Sequence, residues 1–336
     1  MSASQGPRVV ALGGGHGLHA TLSALRRVTD DLTAVVTVAD NGGSSGRLRG
    51  EFGVLPPGDL RMALAALCGD DDWGQTWARV LQHRFDGTGE MRGHVVGNLL
   101  IVALWELLGE HVDGLDWVGR LLGAHGRVLP MAITPLDIVA QVRGLDASDP
   151  TAVEEVRGQV EVATTGGRLV SIRLDPEHPQ ACPEAVDAVR EADWVVLGPG
   201  SWYTSVIPHL LVPDLSAALQ ASRARVLVSL NLEGQPGETH GYAPEDHLAA
   251  LLEHAPELRI DTVLADPGSV ADRELLEQAV GSAGGRLVVA EVARADGTPR
   301  HDPTRLASAY ADILTDPRRP GPDPVSPAPA APTPGT

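Results

Sequence analysis

The chain has 336 residues, 43% of them hydrophobic, which suffices for one large domain or two modest ones with a full core. Its formal net charge of −18 and pI near 5.0 exclude a general electrostatic attraction to nucleic acid or anionic lipid, so arginines that bind an anion must act locally. All 26 basic residues are Arg, and without lysine the chain can carry no P-loop lysine, Schiff base or lysine general base.

In chain order, Arg8–Leu12 reads as a buried strand, His16–Val28 as a helix and Leu32–Ala39 as a second strand, with a Gly13–Gly17 turn between the first two. Helical spacing follows over Leu60–Leu67, Trp73–His83, Gly97–Leu108 and Leu115–Ala124. Short β elements are expected at Val128–Met131, Ile138–Arg143, Arg157–Thr164 and Leu169–Leu174. Residues of about 60–175 thus read as an inserted helical and β subdomain. Regular alternation then resumes: helix Glu184–Glu191 to strand Trp194–Leu197, Ser216–Ala221 to Val226–Leu230, His247–Glu253 to Ile260–Leu264, and Leu275–Ala283 to Leu287–Val289. Such alternation predicts an α/β fold, a doubly wound, mainly parallel sheet of Rossmann type with helices on both faces. Ligands of such sheets bind outside the carboxyl ends of the strands. From Pro317 to Thr336 the composition is mostly Pro, Ala, Gly, Asp, Ser and Thr with almost no large apolar residue, which predicts a flexible tail after a domain of residues 1–316.

Cys68 and Cys182 stand far apart with no second Cys at metal-ligand spacing, so neither structural zinc nor a disulfide is expected. No signal pattern or membrane-length apolar run is present, and a cytoplasmic protein without membrane insertion is the expectation.

Four polar loops begin where predicted strands end. The first, Gly13-Gly14-Gly15-His16-Gly17, offers a helix N-terminus to an anion, or else is a packing turn. In the second, Asp40 and Asn41 lead into Gly43, Ser44 and Ser45, read as a Gly/Ser loop, with Arg47, Arg49 and then Arg61 as candidate phosphate ligands. Asp59, in Pro-Pro-Gly-Asp, is read either as a helix N-cap or as sharing a Mg²⁺ with Asp40. Asp40 also lies near the place where an NAD site wants a ribose-binding carboxylate, so a dinucleotide reading stands as the third choice. His94 and Asn98 are spaced to share a helix face, Asn98 either capping or contacting a ligand. The third loop, Gly198-Pro199-Gly200-Ser201 with Thr204 and Ser205, reads as a second phosphate cradle, and the adjacent Trp202 and Tyr203 as base-stacking, core or dimer residues. After Asn231, the fourth loop supplies Glu238 and Thr239. No nucleophile elbow or triad is declared.

These blocks, Gly13–Leu18, the run from Val35 to Arg61, His94–Leu100, Leu197–Pro208 and Asn231 with Gln235–Thr239, occur in one order across most of the chain. Together they resemble the gluconeogenesis-factor (YvcK-like) family within the CofD-like group named after 2-phospho-L-lactate transferase. The resemblance implies a CofD-like three-layer fold and a nucleotide-type ligand held between the Gly13–Leu18 and Gly198–Ser205 loops. It also implies a cytoplasmic regulator that binds a nucleotide-sugar such as a UDP-sugar and serves cell shape and cell-wall precursor supply during gluconeogenic growth. A regulatory protein partner and a homo-oligomer are expected with it. The alternative is a Mg-dependent phosphotransferase acting on a nucleotide-activated small acid, as in the CofD-like transferases. Where the family usually has a second Asp after Asp40, this chain has Asn41, which weakens any two-carboxylate scheme within that loop.

Overall fold

Five consecutive buried residues, Val9–Gly13, form strand β1, an interior strand of the main sheet. The structure is a computed structural model that describes residues 6–316; the expected tail, 317–336, lies outside the described residues. After β1 come α1 (Gly15–Leu25), β2 (Leu32–Val36), α2 (Gly43–Phe52), α3 (Gly58–Ala66), α4 (Asp72–Gln82), α5 (Val96–Leu108), α6 (His111–Leu122) and β3 (Arg127–Pro130). A β excursion follows, with β4 (Asp137–Arg143), β5 (Val153–Arg157), α7 (Gln159–Ala163) and β6 (Arg168–Asp175). The chain closes through α8 (Pro183–Glu191), β7 (Trp194–Leu197), α9 (Pro213–Ala221), β8 (Arg225–Ser229), α10 (Pro244–His254), β9 (Thr262–Ala265), α11 (Arg273–Ser282), β10 (Arg286–Val289) and α12 (Pro303–Leu314).

The main sheet has seven strands in the order β10-β9-β8-β7-β1-β2-β3, all parallel. Its central strands read as unbroken apolar runs because a parallel sheet is buried on both faces. Helix α1 packs with α3 and α12, while α8 packs with α9 and α10 with α11, giving the two helical layers. The chain runs outward from β1 through β2 and β3, then returns to β7 on the other side of β1. The crevice between the carboxyl ends of β1 and β7 is therefore the topological switch point, where doubly wound sheets hold their ligands.

Three local expectations are corrected. The Gly/Ser loop after Asn41 is helix α2 from Gly43 onward; buried Ser44, Ser45 and Leu48 override the poor helix propensity of glycine. The strand expected at Arg157–Thr164 is split: β5 ends at Arg157, Gly158 turns the chain with φ +105°, and α7 follows. The segment of about 60–175 divides as well, since β3 is an edge strand of the main sheet and only β5-β4-β6 forms a separate antiparallel sheet.

Between β7 and α9 the chain makes a π turn, Trp202–Val206, and a 3-10 turn, Ile207–Leu211. Trp202 is fully buried, and its indole N–H donates to the His247 carbonyl at 2.7 Å, so it fills the core rather than offering a stacking face. The Tyr203 hydroxyl meets that of Tyr242 at 3.0 Å, and its side chain is buried likewise. His209, fully buried, ties this turn to β2 through Nε2 and the Val35 carbonyl at 3.0 Å.

Candidate functional site

At the switch point two glycine turns touch. A Cβ on Gly17 would lie 2.1 Å from the Pro199 carbonyl oxygen and 2.6 Å from Gly200 Cα, so only glycine lets these backbones meet. Helix α1 starts at Gly15, and its N-cap Gly14 brings no side chain to the helix end, so apart from the Gly15 N–H, which acts on Asp59, the dipole and N–H groups can act on a ligand. Asn231, just beyond β8, fixes the second turn: its Oδ1 accepts from Gly200 N–H at 2.9 Å and its Nδ2 donates to the Gly200 carbonyl at 2.8 Å. His16 is exposed beside this junction.

On the β2 side of the turn, four polar side chains close around two more glycines. A Cβ on Gly14 would stand 2.7 Å from Asp59 Oδ2 and 3.3 Å from Ser205 Oγ, and one on Gly58 would stand 2.8 Å from Asp40 Oδ2 and 3.0 Å from Ser45 Oγ. Asp40 accepts from Gly42 N–H at 2.8 Å, and the Ser45 hydroxyl accepts from Gly58 N–H at 2.9 Å. Burial raises the pKa of both carboxyls. That of Asp59 reaches about 7, with the negative charge of Asp40 as the next cause, while the Gly15 N–H opposes the rise. Asp59 is not an N-cap: the cap of α3 is Pro57, and the Asp59 carboxyl faces the Gly14–Gly15 backbone instead.

Two partly buried carboxyls, the charge of Asp40 adding to the burial that raises the pKa of Asp59, form a donor set that a hard divalent cation would relieve, so Asp40 and Asp59 fit Mg²⁺ with water in its other positions. Among the described residues no group of three or more His, Cys, Asp and Glu assembles into a metal cluster. Asn41 adds nothing to this pair. It faces α7, donating to Glu161 at 2.7 Å and accepting from Val160 N–H at 3.0 Å.

The three arginines do not converge on one anion seat. Arg47 donates to the carbonyls of Glu90 and Arg92 at 3.2 and 2.9 Å, Arg49 pairs with Asp137 at 2.7 Å, and Arg61 bonds Gln82. Arg61 alone is buried close to the carboxyl pair; burial and the nearby Arg84 lower its pKa to about 10, and Asp59 and Asp40 raise it. Ser44 gathers the next group: its Oγ meets His94 Nδ1, Asn98 Nδ2 and Val95 N–H, each at 3.2 Å. His94 precedes α5 rather than sharing its face with Asn98, so the two meet on Ser44 and not through helical spacing.

Thr204, Glu238 and Thr239 brace the second turn from beneath. Glu238, buried, accepts from Tyr203 N–H at 2.9 Å and from the Thr204 hydroxyl, and Thr239 Oγ1 accepts from Gln235 N–H at 2.9 Å. They hold loop against loop, whereas Gly43 opens α2 at φ +51° and Ser201 stays half-exposed at the start of the π turn.

Beside the Gly17–Gly200 junction lies a cleft of about 440 Å³. Besides His16, Gly17, Pro199, Gly200 and Asn231, it is lined by Gln235 and by Arg294, Arg300 and His301 from the stretch between β10 and α12. Sequence reasoning missed these last three. Their signal was a fifth loop after a predicted strand, Leu287–Val289, rich in Arg, His and Pro but without a glycine motif. A larger, more open groove of about 780 Å³ lies between α10 and the Gly237–Tyr242 loop. It shares Pro236 with the smaller cleft but is lined by no residue of α1, so the smaller cleft is the better ligand site.

The chain matches the family described as 2-phospho-L-lactate transferase CofD over residues 9–297. A gluconeogenesis-factor relative from Mycobacterium tuberculosis is 53% identical over 308 residues, covering 91% of this chain and 90% of that one. The chain belongs to the gluconeogenesis-factor family, within the CofD-like superfamily. The gluconeogenesis factor of Bacillus subtilis is 34% identical over 326 residues, 93% of this chain and 99% of that protein. A crystal structure of a UPF0052 family member from Bacillus halodurans superposes with a TM-score of 0.80 at 30% identity, covering 91% of this chain and 99% of the other. The doubly wound α/β layout expected from the sequence is thus that of a gluconeogenesis-factor-family fold. Among the described residues no helix is long and apolar enough to cross a membrane.

Proposed function

We propose that this gluconeogenesis-factor-family chain is a cytoplasmic regulator that binds a nucleotide-sugar of the UDP-sugar type and serves cell shape and cell-wall precursor supply on gluconeogenic carbon. The observation that carries the binding part is the junction of Gly17 with Pro199 and Gly200 at the open N-terminus of α1, beside the 440 Å³ cleft with Arg294 and Arg300 at its side. A diphosphate placed there meets helix N–H groups and two guanidiniums, while the cleft has room for a nucleoside. Nothing around it declares a nucleophile or a base poised on a leaving group. Binding without turnover is the consequence.

The test is a thermal-shift panel of UDP-sugars, GDP derivatives and NAD, with and without Mg²⁺, followed by chromatography of the nucleotide after long incubation at stoichiometric protein. A ligand that binds only the native state raises its stability by mass action, and the expected result is a raised melting temperature with the UDP-sugar returned intact. No shift with any nucleotide refutes the reading.

One observation favours a second reading, a CofD-like Mg²⁺-dependent phosphotransferase. The partly buried Asp40–Asp59 pair adjoins the same glycine turn, where Mg²⁺ would neutralise phosphate oxygens. Release of UMP or UDP that disappears in Asp40→Asn would establish it.

A further inference from the structure

Of the six tryptophans, Trp105, Trp194 and Trp202 lie in the core. The others stand on α4 and α6. Trp117 and Leu121 are one turn apart on α6 and share a face, 53% and 39% exposed. Trp73, at the start of α4 and 55% exposed, reaches that face, its indole N–H donating to the Leu121 carbonyl at 3.2 Å. Its ring centre lies 5.7 Å from that of Trp77, one turn further along α4, and the Arg120 guanidinium sits 5.1 Å from the centre of the Trp117 ring. In a chain with 3% aromatic residues, these side chains form one joined apolar face across two packed helices.

Single exposed apolar residues are ordinary on a protein surface, but a joined group of aromatic rings is not, and Trp and Arg are the residues that most often carry the binding energy of an interface. Charge decides what can cover such a face. Two bodies of net charge −18 repel as wholes, so copies of this chain meet most readily where the surface is locally neutral. Apart from Asp116, which pairs with Arg127, the acidic and basic residues of α4 and α6 are Asp72 and Asp113 against Arg79 and Arg120, two of each sign. That balance offers no net charge to a basic or an acidic partner, whereas a two-fold axis through the face lets each sign of one copy meet the opposite sign of the other.

We propose that the tryptophan face of α4 and α6 is the surface on which two copies of this chain pair, Trp73 and Trp117 of each packing on the other around a two-fold axis. Its size sets the strength of the contact. Two side-by-side helices about 17 Å long and about 10 Å wide present roughly 340 Å² before their relief is counted, under half of the ~800 Å² per partner of a standard interface, so the pairing is reversible. The face also stands away from the ligand cleft. Asp70, just before α4, pairs with Arg26 and Arg27 at the end of α1, and Asp116 of α6 pairs with Arg127 at the first residue of β3. Both contacts lie toward the amino edge of the sheet, whereas the cleft lies at the carboxyl edge, so pairing leaves the cleft open and the inference is independent of the nucleotide reading.

Sedimentation velocity of the full chain from about 1 to about 200 μM tests it. The weight-average mass should rise from the monomer's 35.2 kDa toward twice that value, with a dissociation constant on the order of 10 μM, as suits so small an interface. Trp117→Glu puts a carboxylate where the rings meet and should weaken pairing at least about tenfold, while an unchanged melting temperature of the dilute protein shows that the fold is kept. Should that variant fail to fold, Trp73→Gln, on the other helix, carries the same test. Leu275→Gln removes an apolar side chain of similar exposure, 45%, from α11 and should leave pairing unchanged. A chain that stays monomeric over the whole range overturns the inference. A dimer left intact by both tryptophan substitutions overturns it too, since the contact then lies elsewhere, and so does equal loss of pairing in Leu275→Gln, which would mark unspecific association.

Discussion

Replacing Asp59 by Asn should stabilise the metal-free protein, and by an amount that grows with pH. The Asp59 carboxyl is partly buried beside Asp40, and its folded-state pKa is about 7 against 3.8 for an ordinary aspartate. The folded protein therefore keeps a proton that the unfolded chain releases above pH 3.8. Stability contributed by this group is greatest in acid, falls as pH rises, and is fully lost once pH passes about 7. Between pH 5 and pH 8 the loss is set by the interval from 5 to the folded pKa near 7, roughly 2 units at about 1.4 kcal/mol each, or about 3 kcal/mol. The Asn variant does not titrate and is spared that loss. At about 2 °C per kcal/mol for a domain of this size, its melting temperature relative to wild type should rise by about 5 °C between the two pH values. Scanning calorimetry of both proteins in chelator at pH 5 and pH 8 measures it. A difference between variant and wild type that does not change with pH would refute the account of a protonated buried carboxyl. Adding Mg²⁺ at pH 8 should stabilise the wild type and leave Asp59→Asn unmoved, since a cation would relieve only the ionised pair.

Gly17→Ala would set a methyl 2.1 Å from the Pro199 oxygen and should lower the melting temperature and abolish nucleotide binding, whereas Gly50→Ala, with open space around its Cβ, should be neutral or slightly stabilising; paired melts show the contrast. Arg49→Ala breaks the 2.7 Å pair with Asp137 that joins α2 to β4, so denaturant melts should show a loss of about 1 kcal/mol while calorimetry shows unchanged nucleotide affinity. The His209 pKa is depressed to about 4 by complete burial, so the unfolded chain takes up a proton first, and stability should fall as pH drops from about 6.5 toward 4; an acid titration of melting temperature that stays flat over this window in wild type would contradict it.

Which features were legible in the sequence follows from how local their causes are. The strands β1, β7, β8 and β9 were visible because a strand buried on both faces needs an unbroken apolar run, and Val9–Leu12 or Trp194–Leu197 can serve no other purpose so well. Helix α2 was hidden because Gly43 and Gly46 argue against a helix locally. Gly46 is required there for another reason: a Cβ would lie 2.0 Å from the Asn41 carbonyl oxygen. Gln159–Ala163 alternates apolar and polar residues over a length too short to separate strand from helix, and Gly158 decided the matter by turning the chain. Arg47 and Arg49 are neighbours in sequence but, two apart on helix α2, they point apart, toward Arg92 and Asp137, a separation that sequence spacing within a Gly/Ser stretch does not display.

The residues around the switch point show why glycine motifs carry more information than the charges beside them. Gly14, Gly17 and Gly58 each occupy a place where a Cβ would collide with another segment, so each one records a contact between parts of the chain far apart in sequence. Charged residues record no such constraint, since a long side chain can reach many partners. The carboxyl pair and the cleft lie on opposite flanks of one turn. The β2 flank holds Asp59, its pKa raised to about 7 by burial and the neighbouring charge of Asp40, and the β8 flank holds Arg294 and Arg300 beside the unpartnered His301 Nε2 and Gln235 Oε1. In a chain with a net charge of −18, an anionic ligand gains nothing from the field of the whole protein. Its affinity must come from the α1 N-terminus and those two guanidiniums, which is why the backbone geometry at Gly17 and Gly200, rather than overall charge, decides whether the site binds at all.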